Sequence, residues 1–145
     1  MADAVPRKGR GFRVPLSVLI LSQSSTAAEE LFRACDERLD LWTIRVPSVT
    51  ASVAAMQVVY ISLIIVAPEI PSDQVSALLA EIGRLRNQAP VLLLRSDAAE
   101  IHPDWQSHRM AVLRCPLVPG LLSRTVDLAL QSTRKKRAKS AIDLA

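Results

Sequence analysis

The pattern of apolar and polar residues divides the chain into alternating strands and helices. Its most apolar run, VVYISLIIVAPEIP (Val58–Pro71), is rich in β-branched residues and is closed by two prolines. A short run that is apolar on both faces is typical of a central strand in a parallel sheet, covered by helices on each side. We therefore predict a buried central strand from Tyr60 or Ile61 to Ala67, around which the other elements are arranged.

Four further strands and five helices follow from the same pattern. The other predicted strands are Val14–Leu21, Leu41–Val46, Val91–Leu94 and Ala111–Arg114. The predicted helices begin at Thr26, Thr50, Ser72, Asp97 and Leu121. Ser72 is the expected N-cap of the third helix, because serine oxygens accept hydrogen bonds from the free N–H groups of the first turn. Strands alternating with helices in this order predict an α/β domain, with helices on both faces of a five-stranded parallel sheet.

In such doubly wound sheets, ligands bind at the carboxyl ends of the strands. The residues to inspect are therefore the pairs that follow the strands. They are Ser22–Gln23, Ala67–Pro68, Arg95–Ser96 and Cys115–Pro116.

These strand ends resemble the receiver domains of bacterial response regulators over about Val14 to Leu130. SLIIVAPEIP (Ser62–Pro71) is similar to the third strand of that family and the loop after it. PVLLLRS (Pro90–Ser96) and AVLRCPL (Ala111–Leu117) are similar to its fourth and fifth strands. The resemblance implies the flavodoxin-like, CheY-like (βα)5 three-layer sandwich.

The resemblance also shows which chemistry is missing. Receiver domains use an acidic pair for Mg²⁺, a phosphate-accepting aspartate, a Ser/Thr and a Lys. The matching positions here hold Ser22, Gln23, Ala67, Arg95 and Cys115. A methyl group cannot accept a phosphoryl group, and neutral side chains are poor ligands for a hard divalent cation. We expect a degenerate pseudo-receiver that is not an enzyme.

Arg95 is the replacement with the most consequences, and three interpretations stay open. It reaches water or pairs with Glu69 as an ordinary strand-end arginine; it fills the vacant pocket and holds one conformation by pairing with Glu69 or Asp97; or it binds a small anionic ligand. Glu69 is therefore counted with the pocket residues.

Without its phosphorylation site, such a domain would act through its surface, by protein–protein interaction in bacterial signalling. The resemblance implies a working face at about Ala98–Arg109, Ala111–Arg114 and Leu121–Gln131. Trp105, Met110 and Leu128 are the candidate apolar contacts there, although core packing would explain each equally well. The expected partner is another signalling protein, and a homodimer is an open alternative.

The chain carries a formal charge of +4, and its basic residues are concentrated at the two ends. We predict a basic N-terminal arm (residues 1–13), a receiver-like domain (14–133) and a basic C-terminal tail (134–145). Charged ends of this kind commonly act as solubilising segments. Non-specific attraction to nucleic acid is the alternative function, although no aromatic residues alternate with the basic ones in the tail to stack on bases.

The two cysteines, Cys35 and Cys115, have no metal-binding or disulfide spacing, and no Cys/His cluster predicts a metal site. We expect reduced thiols in a cytoplasmic protein and no cofactor. The apolar start of the first strand after basic residues has the outline of a signal peptide, but Pro15 interrupts it. The uncharged segment Val46–Pro68 is diluted by polar residues, so a helix and a strand explain it better than a membrane span.

SQSSTAAEEL (Ser22–Leu31) also resembles the phosphate-binding loop of flavodoxins. A Ser/Thr-rich loop before a helix can hold the phosphate of FMN through hydroxyl and backbone N–H groups, here within Ser22–Thr26. The loop contains no glycine, and no Gly-rich aromatic segments follow the third and fourth strands. FMN binding therefore stands as an alternative function.

Overall fold

The computed structural model of the chain describes residues 16–23, 33, 41–96, 101–103, 105, 109–115 and 120–131. Five strands and three helices lie within these ranges. The strands are β1 (Leu16–Leu21), β2 (Leu41–Val46), β3 (Ile61–Val66), β4 (Val91–Ser96) and β5 (Met110–Cys115). The helices are α1 (Val49–Val58), α2 (Ser72–Arg84) and α3 (residues 121–131).

The strands form one parallel sheet in the order β2-β1-β3-β4-β5. The chain runs from β1 outward to β2 and then returns to build β3, β4 and β5 on the other side of β1. The direction of winding therefore changes between β1 and β3, and the loops after these two strands diverge there. This is the place where doubly wound sheets form their crevice.

Both faces of the sheet are covered, as the apolar strands predict. On one face, Leu19, Ile64 and Leu93 pack with α2, and α1 residues lie against the same core. On the other face, alternate strand residues pack against Val126 and Leu130 of α3. All six residues of β3 are buried, so the central strand predicted from VVYISLIIVAPEIP is confirmed.

The N-terminus of α1 is capped as its local sequence suggests, whereas at the N-terminus of α2 a tertiary contact takes the serine hydroxyl. Ser48 caps α1, its Oγ accepting from the backbone N–H of Ala51 at 3.1 Å. The predicted N-cap of α2 is wrong: Pro71 occupies the cap position without a side-chain cap bond, and Ser72 is the first helical residue. The Ser72 hydroxyl is engaged by Arg95 instead.

Element bounds differ little from those predicted. β2 agrees with Leu41–Val46, and β4 extends two residues further than predicted, so that Arg95 lies within the strand. The two basic ends, the helix predicted from Thr26 and most of the helix predicted over Asp97–His108 fall outside the described residues. Among the helices described, none has both the length and the apolarity needed to cross a membrane.

Candidate functional site

The carboxyl ends of β1, β2 and β3 are joined by backbone hydrogen bonds. The N–H of Ser22 donates to the carbonyl of Val46 at 3.0 Å, and the N–H of Ala67 donates to that of Leu21 at 2.9 Å. Ser22 and Ala67 are both buried. The structure therefore brings together the residues after β1 and β3, two of the pairs selected from the sequence.

Glu69 ties these two loops to each other. Its Oε2 accepts from Ser22 Oγ at 2.8 Å and from the backbone N–H of Gln23 at 2.7 Å. The Gln23 side chain donates to Gln74 Oε1 of α2 at 3.2 Å. The carboxylate is thus held by the loop after β1, at the positions where receiver domains keep their acidic pair.

Arg95 is buried near the end of β4, with 6% of its surface exposed. Its Nη1 donates to the carbonyl of Ile70 at 2.7 Å, and its Nη2 donates to Ser72 Oγ at 2.9 Å. The guanidinium carbon lies 5.8 Å from the centre of the Trp105 ring, within the range of a cation–π contact. Arg95 therefore joins β4 to the loop after β3, to the start of α2 and to Trp105.

Burial lowers the pKa of Arg95, and the charge of Arg114 lowers it further. Arg114 is the register partner of Arg95 on β5, and it donates to the carbonyl of Ser96 at 2.8 Å. The positive charges of Arg95 and Arg114, on adjacent strands, repel each other. Only the neutral oxygens of Ile70 and Ser72 accept from Arg95 among the described residues, so its charge is only partly compensated there.

The predicted ion pair between Arg95 and Glu69 does not form. The guanidinium turns to Ile70 and Ser72, whereas Glu69 turns to the loop after β1. Asp97, the other carboxylate proposed for the pair, lies outside the described residues. Of the hypotheses for Arg95, the geometry favours the one in which the side chain fills the vacant pocket and holds one conformation. The contacts that hold it are hydrogen bonds to the neutral oxygens of Ile70 and Ser72, not the expected ion pair.

Trp105 is a core residue, which corrects its assignment to the interaction face. It is 2% exposed and belongs to the core on the α2 side of the sheet, where its Nε1 donates to Ser76 Oγ at 2.9 Å. Met110 is half-buried against the same core. Of the three candidate contacts only Leu128, 66% exposed on α3, presents an apolar side chain to solvent.

The chemistry available at these strand ends is limited. Among the described residues of these strand ends, Ala67 offers a methyl group, Ser22 and Gln23 are neutral, and Glu69 already accepts two hydrogen bonds. No group of three His, Cys, Asp or Glu side chains able to hold a metal ion exists among the described residues. The side chain of Cys115 and residues 24–26 of the FMN-type loop lie outside them.

The contacts of Arg95 with Ser72 and Trp105 were missed from the sequence. The position of Ser72 at a predicted helix start did indicate a structural role for its hydroxyl group. The simpler assignment of that role was an N-cap. Trp105 and Ser76 carried no such indication, because their contact depends on how two separate segments pack on the sheet.

Comparison with solved structures finds the same fold in several receiver domains. The signal receiver domain of a protein described as a LuxO repressor from Vibrio parahaemolyticus superposes with a TM-score of 0.72 at 14% identity, covering 86% of this chain and 97% of that one. A CheY-like receiver domain from Methanospirillum hungatei JF-1 gives 0.69 at 11% identity, covering 84% and 98%. The chain has the receiver-domain fold.

The receiver fold also occurs within a larger enzyme. The lysine decarboxylase LdcF of Francisella novicida matches with a TM-score of 0.65 at 11% identity, where 87% of this chain covers 18% of that protein. The fold by itself therefore does not decide the function. No protein-family model matches the sequence, and no curated protein matches it either.

Proposed function

We propose that this chain is a non-phosphorylatable receiver-fold protein that acts in signal transduction by binding another signalling protein. It performs no chemistry at the strand ends and offers its partner a surface held in one conformation. The main support for the proposal is the set of side chains at the strand ends, and the fold supports it less.

The observation that carries the proposal is the environment of Ala67. A buried methyl group stands where an acceptor carboxylate would be needed, and two charged side chains of the same strand ends are already engaged: Glu69 accepts from Ser22, and Arg95 donates to Ile70. Phosphoryl transfer needs an acceptor, a metal and cationic groups that are free to meet the developing charge. None of these is available among the described residues at this end of the sheet.

The same contacts support a fixed conformation. Here hydrogen bonds hold the loop after β3 from two sides. Ser22 donates to Glu69 on one side, and Arg95 donates to Ile70 and to Ser72 on the other. Without a ligand that binds one conformation better, such a site has nothing to shift a conformational equilibrium.

The proposed partner surface lies on β5 and α3. β5 is an edge strand, and Leu128 is exposed on the helix that covers the neighbouring face. An isolated exposed leucine on a monomer is ordinary, but at the centre of an interface it contributes about 1.5–3 kcal/mol when fully buried. We place the contact with the signalling partner here.

The first test is phosphorylation itself. The full chain is incubated with acetyl phosphate and Mg²⁺ beside a receiver domain that keeps its aspartate, and both intact masses are measured. We expect a phosphoryl adduct on the reference domain and none on this chain. An adduct of the same stoichiometry on both proteins would refute the proposal.

The second test concerns the partner. Proteins that bind the full chain are isolated from its native host, and the affinity of each purified candidate is measured for the wild type, Leu128→Arg and Ser123→Arg. Ser123 is also exposed on α3 and serves as the matched control. We expect Leu128→Arg to weaken binding about 10- to 100-fold and Ser123→Arg to change it little. Equal affinities for all three proteins would exclude this surface.

A further inference from the structure

The amino ends of the strands carry most of the exposed large apolar side chains. Among the described residues four such side chains are exposed, and Trp42, Val58 and Tyr60 lie at this end of the sheet. Trp42 is 61% exposed and Tyr60 is 68% exposed. Trp42, Ser17 and Ile61 form one row across β2, β1 and β3, and Tyr60 directly precedes that row. Neighbouring strands are about 4.8 Å apart, so two exposed aromatic residues start from backbone positions only about 10 Å apart.

A groove of about 480 Å³ opens beside Tyr60, between the end of α1 and the end of α2. Gln57, Arg86 and Asn87 line it. The Oδ1 of Asn87 accepts from the backbone N–H of Ala89 at 2.8 Å, which leaves the amide N–H groups of Asn87 as donors. An aromatic ring beside amide groups is a combination that binds unpaired bases, by stacking on their faces and by hydrogen bonds to their edges.

Arg86 has a backbone conformation that favours glycine. Its φ is 56°, in the left-handed region, and it directly follows Leu85, the C-cap of α2. Glycine is the usual residue at this point of a helix end, since it has no Cβ atom to clash there. A strained residue of this kind points to a functional role for its side chain. The guanidinium group of Arg86 can pair with a phosphate or stack on a base.

Both basic ends of the chain are attached at this same end of the sheet. Residues 1–13 lead into β1, which begins at Leu16. Helix α3 starts shortly after the carboxyl end of β5 and packs along the sheet through Val126 and Leu130, so it runs back towards the amino ends of the strands. Residues 134–145 follow it. The two basic ends hold nine of the eighteen Lys and Arg residues but only two of the fourteen Asp and Glu residues.

These features fit a single-stranded nucleic acid as the partner. Basic segments attract the phosphate backbone of any nucleic acid, and exposed aromatic rings stack on bases that have no partner strand. The sequence of the basic tail contains no aromatic residues, but the fold attaches that tail where Trp42 and Tyr60 are exposed. The C-terminal ends of α1 and α2 carry partial negative charge, so the groove favours a base, and the phosphates would lie towards the basic ends.

We infer that the amino end of the sheet binds single-stranded nucleic acid. Bases stack on Trp42 and Tyr60, and Arg86 and the two basic ends hold the phosphates. The inference does not depend on the proposed function, because it uses none of the residues at the carboxyl ends of the strands.

The test is the binding of the full chain to a fluorescein-labelled single-stranded oligonucleotide of about 20 nucleotides, measured by fluorescence anisotropy in about 50 mM salt. We expect Trp42→Ala and Tyr60→Ala each to weaken binding about 5- to 100-fold, the loss of one stacked base. Tyr60→Phe keeps the ring and should bind as tightly as the wild type. Leu128→Ala is the matched control, because it removes an exposed large side chain elsewhere, and it should leave the affinity unchanged.

Arg86→Gly separates binding from folding. Glycine relieves the positive φ of this position, so the variant should be at least as stable as the wild type in urea. Its affinity for the oligonucleotide should nevertheless fall, and the slope of log affinity against log salt should shrink by about 0.7 for one lost phosphate contact. An Arg86→Gly variant that binds with the affinity and salt slope of the wild type would remove Arg86 from the site.

Three results would overturn the inference. They are no binding at about 50 mM salt, equal affinities for the wild type, Trp42→Ala and Tyr60→Ala, and a duplex of the same sequence that binds as tightly as the single strand. Equal affinities would mean that the basic ends attract any polyanion. Binding to vesicles of phosphatidylcholine and phosphatidylglycerol, without binding to the oligonucleotide, would assign the surface to a membrane instead.

Discussion

Replacing Arg95 with methionine tests whether this side chain holds the strand ends together. Methionine keeps much of the aliphatic stem that packs beside the core, but it removes the guanidinium group. The carbonyl of Ile70 and the hydroxyl of Ser72 lose their donor, and the cation–π contact with Trp105 is lost with it.

The magnitude follows from opposing contributions. Hydrogen bonds that involve a charged group contribute about 1.5–3 kcal/mol each, and a cation–π contact contributes about 0.5–2 kcal/mol. Desolvation of the buried guanidinium opposes them, and it is the main reason that the pKa of Arg95 is lowered. Since removing a buried charge recovers part of that cost, we expect a net loss of about 2–3 kcal/mol in the free energy of unfolding.

Urea denaturation followed by far-UV circular dichroism measures this loss. Arg114→Met is the matched control, because Arg114 is the register partner of Arg95 but is exposed. We expect the control to change the free energy of unfolding by no more than about 0.5 kcal/mol. If Arg95→Met were as stable as the wild type or more stable, the linking role of Arg95 would be wrong.

The remaining predictions concern other parts of the fold. Ser48→Ala should lower the free energy of unfolding by about 1 kcal/mol, since it removes the cap of α1; Ser48→Asp, which can still cap the helix, should retain most of it in the same urea titration. Ala67→Asp should destabilise the fold by at least about 2 kcal/mol, because it buries a second carboxylate near Glu69, and should still give no phosphoryl adduct by intact mass. Trp105→Leu should cost about 2 kcal/mol or more, whereas Leu128→Ala should cost less than about 0.5 kcal/mol; equal losses in thermal unfolding would contradict the assignment of Trp105 to the core.

The sheet could be predicted from the sequence because its strands are continuous apolar runs. β3 is buried along its whole length, so no periodicity had to be resolved, and Pro68 and Pro71 mark where the strand ends. The winding order follows from strand–helix alternation, which leaves few topologies open. The residues at the strand ends could therefore be selected without coordinates.

The contacts within the site could not be predicted, because they depend on competition between partners. Ser72 could cap α2 or accept from Arg95, and Arg95 could pair with Glu69 or turn towards Ile70. Distances across the sheet decide which partner each side chain takes, and these distances cannot be read from the spacing of residues along the chain. Trp105 was equally undetermined, since an isolated aromatic in a polar segment reads as surface or core until its neighbours are known.

The central claim is that the receiver fold is retained while its phosphorylation site can neither bind nor respond to a phosphoryl group. The most direct measurement is a ¹H–¹⁵N NMR titration of the full chain with beryllofluoride, a phosphoryl analogue, in the presence of Mg²⁺. We expect the amide signals of Gln23, Ala67 and Arg95 to keep their positions throughout the titration. Saturable shifts of these signals, spreading to β5 and α3, would contradict it.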